Sequence, residues 1–269
     1  MGGADRGGIR SAVVTGAGRG IGRALAARLA RLGYATVVSD VDGDAARRTA
    51  TEVGAVAGIH QDVRDEASHV AVARIAAGHG DLAVWVNNAG VGDDGTLEEV
   101  SSEAVRRLVE VNLLGTVWGM RAALSAFGPR GGDVVNVASA SGLGPVQGLA
   151  VYAATKAAVV SVTCSTAAEV RRGVRVHALC PDGVDTALVD AMGGRAKAMV
   201  ASGGRLLTVE EVAAAAVALI GSRRVLRTMP PWRGGVIRMG SLLPSQTRPG
   251  FALFGAVGRQ VLSRRQSPP

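Results

Sequence analysis

The spacing with the clearest chemical meaning in this 269-residue chain is that between Tyr152 and Lys156. Residues four apart lie on one face of a helix, so this spacing predicts a phenol beside an ammonium group. A free tyrosine has a pKa near ~10, and a neighbouring positive charge favours the phenolate. We therefore predict that Tyr152 gives and takes protons and that Lys156 lowers its pKa toward neutrality.

A glycine-rich turn, Thr15-Gly16-Ala17-Gly18-Arg19-Gly20-Ile21-Gly22, joins a predicted strand to a predicted helix. Glycines permit positive φ angles and let backbone N–H groups approach a ligand. The helix N-terminus adds unpaired N–H groups and a positive dipole. The turn therefore predicts a pyrophosphate site, for which we name Gly16, Arg19, Gly20, Ile21 and Gly22; a merely flexible turn is the alternative.

Asp40 ends the second predicted strand, twenty residues after Gly20. A carboxylate at this place accepts hydrogen bonds from ribose hydroxyls and repels a 2′-phosphate, which favours NAD. Arg19 argues for NADP, because a guanidinium in the turn can pair with that phosphate. We favour NAD, since Asp40 opposes the phosphate directly whereas Arg19 can turn to solvent.

Short β-branched runs alternate with helix-length segments along the chain. This alternation predicts an α/β fold, a single doubly wound Rossmann-type domain with a mostly parallel seven-stranded sheet. We place that domain at residues 1–240 and treat 241–269 as a basic tail rather than a second domain. The predicted strands are 11–15, 35–39, 55–60, 82–87, 133–138, 174–179 and 235–239. The predicted helices are 21–32, 44–53, 66–77, 102–127, 152–171 and one that begins at Thr208.

The composition argues against several classes of protein. Cys164 and Cys180 are too few for a disulfide framework and lack metal-ligand spacing, so we expect no metal. No apolar run reaches the ~20 residues that span a bilayer, and residues 1–8 lack a signal-peptide core, so we expect a cytoplasmic protein. The net charge of +8 lies in nine arginines after Glu211. These arginines are not interleaved with aromatic residues, so we expect no nucleic-acid partner.

With four further motifs, these residues resemble the short-chain dehydrogenase/reductase family over about residues 10–220. The glycine turn and the Tyr152/Lys156 pair are two matching elements. The others, in chain order, are Asn87-Asn88-Ala89-Gly90, Asn112 within Val111-Asn112-Leu113-Leu114-Gly115, Ser139 thirteen residues before Tyr152, and Thr186. The resemblance implies an NAD(P)-dependent oxidoreductase and a homodimer or homotetramer.

The resemblance also implies a role for each matching residue. Ser139 would hold the substrate oxygen, and Tyr152 would exchange a proton with it. Lys156 would bind the nicotinamide ribose, and Asn112 would anchor a water that links Lys156 to solvent. The further implied cofactor contacts are Asp62 and Val63 beside the adenine, Asn88, Ala89 and Gly90 along the cofactor, and Thr186.

The chain departs from the family pattern at two places. Asp182 stands where a glycine is usual beside the nicotinamide, and an acid there can alter the turn or the surroundings of the ring. The tail carries Phe251, Phe254, Val257 and Val261 at helical spacing between arginines. It could cap the substrate pocket, pack on a second subunit or lie on an anionic membrane, with disorder as a further alternative. We favour packing against the protein.

Two functions remain in view. The first is an NAD-preferring alcohol dehydrogenase or carbonyl reductase for an apolar alcohol or ketone, the substrate class resting on the tail and on Leu143, Pro145, Val146 and Leu149. The second is a catalytically idle NAD-binding protein whose basic tail contacts a membrane or a partner. We favour the enzyme, because the set of catalytic residues is complete.

Overall fold

The computed structural model describes residues 8–242 and 247–266. Within these residues, seven strands form one sheet in the order β3-β2-β1-β4-β5-β6-β7, and every neighbouring pair is parallel. The predicted doubly wound fold is confirmed, with a sheet that is wholly parallel. The strands are β1 Arg10–Thr15, β2 Ala35–Asp40, β3 Ala57–His60, β4 Asp81–Asn87, β5 Gly132–Val137, β6 Val174–Pro181 and β7 Leu226–Met229.

The helices connect the strands and cover the sheet. None of them, over the residues that the structure describes, has the length and apolar character to cross a membrane. They are α1 Gly20–Arg31, α2 Gly43–Val53, α3 Glu66–His79, α4 Ser102–Leu108, α5 Gly115–Ala126, α6 Ala150–Glu169, α7 Ala187–Asp190, α8 Gly194–Ala201, α9 Val209–Val217, α10 Pro231–Ser241 and α11 Thr247–Gln266.

Successive residues of each strand enter cores on opposite faces of the sheet. Val13 belongs to a core with Trp85 and Met120, whereas Val14 belongs to a core with Leu25 and Val212. Side chains alternate between the two faces of a strand, and a sheet that is covered on both faces needs apolar residues at every position. This requirement explains the nearly continuous valine runs of the central strands.

The predicted strand at 235–239 is wrong, because this segment lies in α10 and the last strand is β7. Pro231 occupies the first turn of α10, where its missing N–H is not needed and its fixed φ suits a helix. β7 is short and only half-buried, but it pairs in parallel register with the end of β6. The β-branched pair Val236-Ile237 suggested a strand that tertiary packing does not support.

The long helix predicted over 102–127 is divided into three segments. α4 and α5 flank a π-helical turn, Val109–Leu114, whose only buried side chain is that of Asn112. A π-turn inserts an extra residue into a helical turn and is common at functional sites. The local irregularity thus coincides with a residue that the sequence had singled out.

Asp133 forms a buried charged junction at the start of β5. Its carboxylate accepts hydrogen bonds from Arg175 at 2.7 and 2.8 Å, from the Gly221 N–H at 2.9 Å and from His177 Nε2 at 3.0 Å. Burial raises the pKa of Asp133, but the bonds from His177, Arg175 and Gly221 outweigh burial and hold it at about 2. One side chain therefore ties β5 to β6 and to the turn after α9.

We expect Asp133→Asn to lower the free energy of unfolding by about 1.5–3 kcal/mol, because the buried acceptor of the bonds from Arg175, His177 and the Gly221 N–H loses its charge. The matched control is Asp81→Asn, whose exposed carboxylate pairs with Arg130 at the start of β4; this change should cost less than about 1 kcal/mol. Urea unfolding measures both values. Since the pKa of Asp133 is depressed in the fold, its contribution is present above pH ~4 and is lost as the pH falls toward 2. Equal losses of unfolding free energy in the two variants would contradict the stabilising role that we assign to Asp133.

Candidate active site

The glycine turn folds into a cradle between β1 and α1. Gly16 has a φ of +61°, and a Cβ there would lie 2.5 Å from Ala89 Cα. Gly20 has a φ of +56° and faces open space, whereas a Cβ at Gly22 would clash with the Gly16 carbonyl. No side chain among the described residues caps the N-terminus of α1. The cradle therefore fits a pyrophosphate bound by backbone N–H groups.

The carboxylate of Asp40 is fixed beside this cradle. Its Oδ2 atom accepts a hydrogen bond from the Gly18 N–H at 2.8 Å, and its Oδ1 atom accepts one from the Asp42 N–H at 3.0 Å. Arg19 is exposed. A charge held in place at the rim of the turn is suited to accepting hydrogen bonds from a ribose.

The loop after β4 is tied to the glycine turn. Thr15 Oγ1 accepts hydrogen bonds from the N–H groups of Asn88 and Ala89, at 3.1 and 3.2 Å. The side-chain amide of Asn88 donates to the carbonyls of Thr15 and Gly16, at 3.0 and 2.8 Å. The side chain of Asn88, predicted to lie along the cofactor, is thus engaged in holding the two loops together.

The side chain of Asn112 binds the backbone of Val91, which lies in the same loop after β4. Its Oδ1 atom accepts from the Val91 N–H at 2.9 Å, and its Nδ2 group donates to the Val91 carbonyl at 3.0 Å. A Cβ on Gly90 would lie 3.3 Å from Asn112 Oδ1 and 3.5 Å from Lys156 Nζ. The loop, the π-turn and α6 therefore meet at Gly90.

Lys156 points into the sheet from the first half of α6. Its Nζ donates to the Val137 carbonyl at 3.0 Å, at the end of β5, and lies 5.9 Å from the centre of the Tyr152 ring. Burial lowers the pKa of Lys156 to about 8. The structure therefore brings Tyr152 and Lys156 together on one face of the helix, as the four-residue spacing predicts.

The electrostatics of Tyr152 differ from the expectation. Burial raises the pKa of the phenol, and a hydrogen bond with Ser139 only partly opposes this effect. The expected net lowering of the Tyr152 pKa is therefore wrong for these surroundings, because burial of the phenol outweighs the influence that lowers its pKa. Tyr152 keeps its proton at neutral pH, which suits it to donate that proton.

Ser139 is buried directly after β5. Its Oγ atom accepts a hydrogen bond from the Ser141 N–H at 3.1 Å and caps a 3₁₀ turn, Ala140–Leu143. The side chain of Ser139 lowers the pKa of the Tyr152 phenol, which distinguishes Ser139 from Ser141, the other serine of this loop. Cys180 is also buried nearby, and desolvation raises its pKa to about 12, so it is not a nucleophile at neutral pH.

The remaining predicted cofactor residues lie on loops that follow other strands. Asp62 forms an ion pair with Arg64 at 2.6 Å, and the Val63 carbonyl contacts His69 Nε2 at 2.9 Å. Ile21 packs against the core at the start of α1. Thr186 is the residue before α7 and makes no capping hydrogen bond; its hydroxyl instead donates to the Val184 carbonyl at 3.3 Å.

A buried chain of side-chain hydrogen bonds behind the site was not predicted from the sequence. Asn87 Nδ2 donates to Asn136 Oδ1 at 2.8 Å, and Asn136 Nδ2 donates to Thr163 Oγ1 at 2.9 Å. Trp85 Nε1 donates to Asn87 Oδ1 at 2.7 Å. The chain links β4, β5 and α6. Its signal in the sequence was the presence of Asn87 and Asn136 inside otherwise apolar strands.

A mostly apolar cavity of about 300 Å³ opens beside the loop that follows β5. Ser141 lines it, and so does Val146, which packs with Tyr152 against the same buried cluster around Leu149. The predicted substrate loop contributes Pro145 and Val146, whereas Leu143 and Leu149 lie in the adjoining buried clusters. Asp182 and Arg233 are its charged lining residues. The sequence had marked Asp182 as unusual but gave no sign of its partner.

The tail supplies part of the cavity wall. α11 packs against α8, and a Cβ on Gly258 would clash with the Ala198 carbonyl, so the two backbones approach closely. Phe251 and Phe254 line the cavity. Of the alternatives for the tail, the structure supports packing against the protein over the pocket. Part of the predicted tail, 243–246 and 267–269, lies outside the described residues.

Comparison with known proteins agrees with this geometry. The profile described as short chain dehydrogenase matches residues 10–197. Sorbitol dehydrogenase from Cereibacter sphaeroides is 38% identical over 194 residues, which are 67% of this chain and 76% of that enzyme. The probable oxidoreductase EphD of Mycobacterium tuberculosis is 39% identical over 67% of this chain, which spans about a third (32%) of that longer relative.

A solved structure extends the similarity to three dimensions. A short chain dehydrogenase/reductase from Burkholderia phymatum, crystallised in complex with NAD, superposes with a TM-score of 0.76 at 30% identity. The match covers 86% of this chain and 92% of that chain. The chain therefore belongs to the short-chain dehydrogenase/reductase family of oxidoreductases, whose fold it shares.

Proposed function

We propose that this protein is an NAD-preferring alcohol dehydrogenase or carbonyl reductase for an apolar secondary alcohol or its ketone. The observation that carries the proposal is the meeting of Ser139, Tyr152 and Lys156 beside the Gly90 loop and an apolar cavity. A proton-exchanging group, a hydroxyl that can hold an oxygen and a cofactor loop are what hydride transfer to a carbonyl requires.

The cradle and Asp40 support NAD as the cofactor. The proposed contacts are the backbone of the turn (Gly16, Arg19, Gly20, Ile21, Gly22) for the pyrophosphate and the Asp40 carboxylate for the ribose. Asp62, Val63, Asn88, Ala89, Gly90, Tyr152, Lys156 and Thr186 complete the proposed set. Asp40 is held by two backbone N–H groups and cannot readily swing away from a 2′-phosphate.

Side chains of the protein transfer the proton that the reaction needs. When bound, the nicotinamide supplies or accepts the hydride. Ser139 holds the substrate oxygen, and Tyr152 donates its proton to that oxygen in reduction or removes it in oxidation. Lys156 has a pKa of about 8, so it is largely charged at neutral pH and stabilises the developing phenolate. Asn112 holds the Val91 backbone in place and is proposed to lead protons from Lys156 to solvent.

We further propose that residues 1–240 form the catalytic domain and that 241–269 are an appendage to it. The packing of α11 on α8 and the position of Phe251 at the cavity support a tail that completes the substrate pocket. An enclosed apolar site excludes water from the reacting groups and selects apolar substrates.

Replacing Tyr152 by Phe should lower kcat by roughly 10²- to 10⁴-fold, because the proton donor is lost while the ring remains. NADH formation over a panel of alcohols, and NADH consumption over ketones, measure the effect. NADH affinity should stay within a few-fold. Tyr34→Phe, at the other tyrosine of the chain, is the matched control and should be as active as the wild type. Undiminished activity in Tyr152→Phe would rule out this acid/base assignment.

NADH should bind the wild type at least about tenfold more tightly than NADPH, a difference in binding free energy of about 1.4 kcal/mol. Asp40→Asn should bring the two affinities closer together, because it removes the charge that repels the 2′-phosphate of NADPH. Fluorescence titration with both cofactors gives the ratio. Asp42→Asn is the control, because asparagine caps α2 as well as aspartate does and should leave the ratio unchanged. Tighter binding of NADPH to the wild type would refute our interpretation of Asp40.

Phe251→Ala should raise KM for a bulky apolar alcohol roughly tenfold, since part of the apolar wall is removed. The dissociation constant of NADH should be unaffected. Leu253→Ala, an exposed position of the same helix, serves as the control. If steady-state kinetics give the same KM in both variants, the tail does not contribute to the substrate pocket.

A further inference from the structure

A buried ion pair interrupts the apolar wall of the cavity. Arg233 Nε lies 2.8 Å from Asp182 Oδ2, and the two side chains are only 5% and 9% exposed. Arg233 is further held by Ser202, whose hydroxyl accepts from Nη2, and by the Phe254 ring, whose centre is 4.9 Å from the guanidinium carbon. Both charged groups are therefore fixed in position at the edge of an apolar space.

The hydrogen-bonding capacity of this pair is not used up. Among the described residues, Arg233 Nη1 has no hydrogen-bond partner. Arg233 Nε and Asp182 Oδ2 are close in space but lie outside hydrogen-bond geometry with any described group, each other included. Buried polar atoms are nearly always paired, so unpaired ones beside a cavity need an explanation. A site that keeps a donor and an acceptor unpaired beside a cavity is suited to a ligand that pairs them.

The position of the pair connects it with the substrate. Asp182 directly follows Pro181, the last residue of β6, and both members of the pair line the cavity that also contains Ser141 and Val146. Since the Ser141 N–H donates to Ser139 Oγ, the same cavity adjoins the loop that carries the residue proposed to hold the substrate oxygen. A molecule that extends from the Ser139 loop into the cavity therefore meets mostly apolar side chains and one charged pair.

We propose that Arg233 and Asp182 bind a second hydroxyl group of the substrate, so that the enzyme selects an apolar diol or hydroxyketone over a simple alcohol. A hydroxyl both accepts and donates, so it can accept from Arg233 Nη1 and donate to Asp182 Oδ2 at the same time. The proposal deepens the dehydrogenase function and rests on it for the reaction at the first oxygen.

The charge of the pair argues against ionic substrates. Burial raises the pKa of Asp182 to about 6 against the lowering influence of Arg233, so the carboxylate is ionised at neutral pH. The pair as a whole is then neutral. A substrate carboxylate would be repelled by Asp182, and an amine would be repelled by Arg233, whereas a neutral hydroxyl meets neither penalty.

The test compares cyclohexanol, the cyclohexane-1,3- and 1,4-diols and 4-hydroxycyclohexanecarboxylate. We measure kcat/KM with NAD and, by calorimetry, binding to the NADH-loaded protein. We expect at least one diol to exceed cyclohexanol about tenfold in both measurements. Arg233→Met should bring this ratio close to one, because the donor to the second hydroxyl is removed. Arg238→Met, an exposed arginine of the same helix, should keep the wild-type ratio.

A second variant separates recognition from folding. Asp182→Asn preserves the shape of the side chain and should reduce the diol preference without abolishing cyclohexanol oxidation, and thermal melting verifies that each variant is folded. A folded Arg233→Met or Asp182→Asn protein that retains the full preference would overturn the proposal, as would a wild type that prefers cyclohexanol or the carboxylate. If no alcohol is oxidised by the wild type, the proposed dehydrogenase function fails, and the calorimetric ratio still decides whether this hydroxyl site exists.

Discussion

The site depends on one buried chain of side-chain hydrogen bonds, from Asn87 through Asn136 to Thr163. A single such bond contributes only about 1 kcal/mol, but a buried amide that loses its partner costs about 1–3 kcal/mol, so the chain is stable only when every bond is made. This requirement fixes how α6 is rotated and shifted against β4 and β5. The same rotation brings the other end of α6, with Tyr152 and Lys156, to the ends of those strands.

Much of the site could be predicted because its signals are local. The glycine turn, Asp40 and the pair Tyr152/Lys156 each depend on spacing within one strand–turn–helix unit or one helical turn. The parallel sheet then brings the ends of neighbouring strands together without further information. What local spacing does not give is the dielectric environment. The raised pKa of Tyr152 comes from groups that surround it in space, and sequence proximity to a lysine led to the opposite expectation.

The features that could not be predicted depend on distant pairing. β7 has only four residues and becomes a strand through its register with β6, whereas Val236-Ile237 has strand-like residues but lies in a helix that begins at Pro231. The π-turn around Asn112 follows no pattern in its own six residues. Asp182 and Arg233 are separated by fifty-one positions, and neither residue type predicts the other.

The positions of the cavity residues along the chain have a consequence for how substrate specificity is encoded. The segment that matches the family ends at residue 197, whereas Met199, Arg233, Ile237 and Phe251 of the cavity wall lie beyond it. Most of the residues that line the proposed substrate cavity therefore follow the matched segment, although Ser141, Pro145, Val146 and Asp182 lie within it. A relative's name consequently carries over the redox chemistry far better than the substrate. An effort to redirect the enzyme to a new alcohol can begin with the last seventy residues and leave the cofactor half intact.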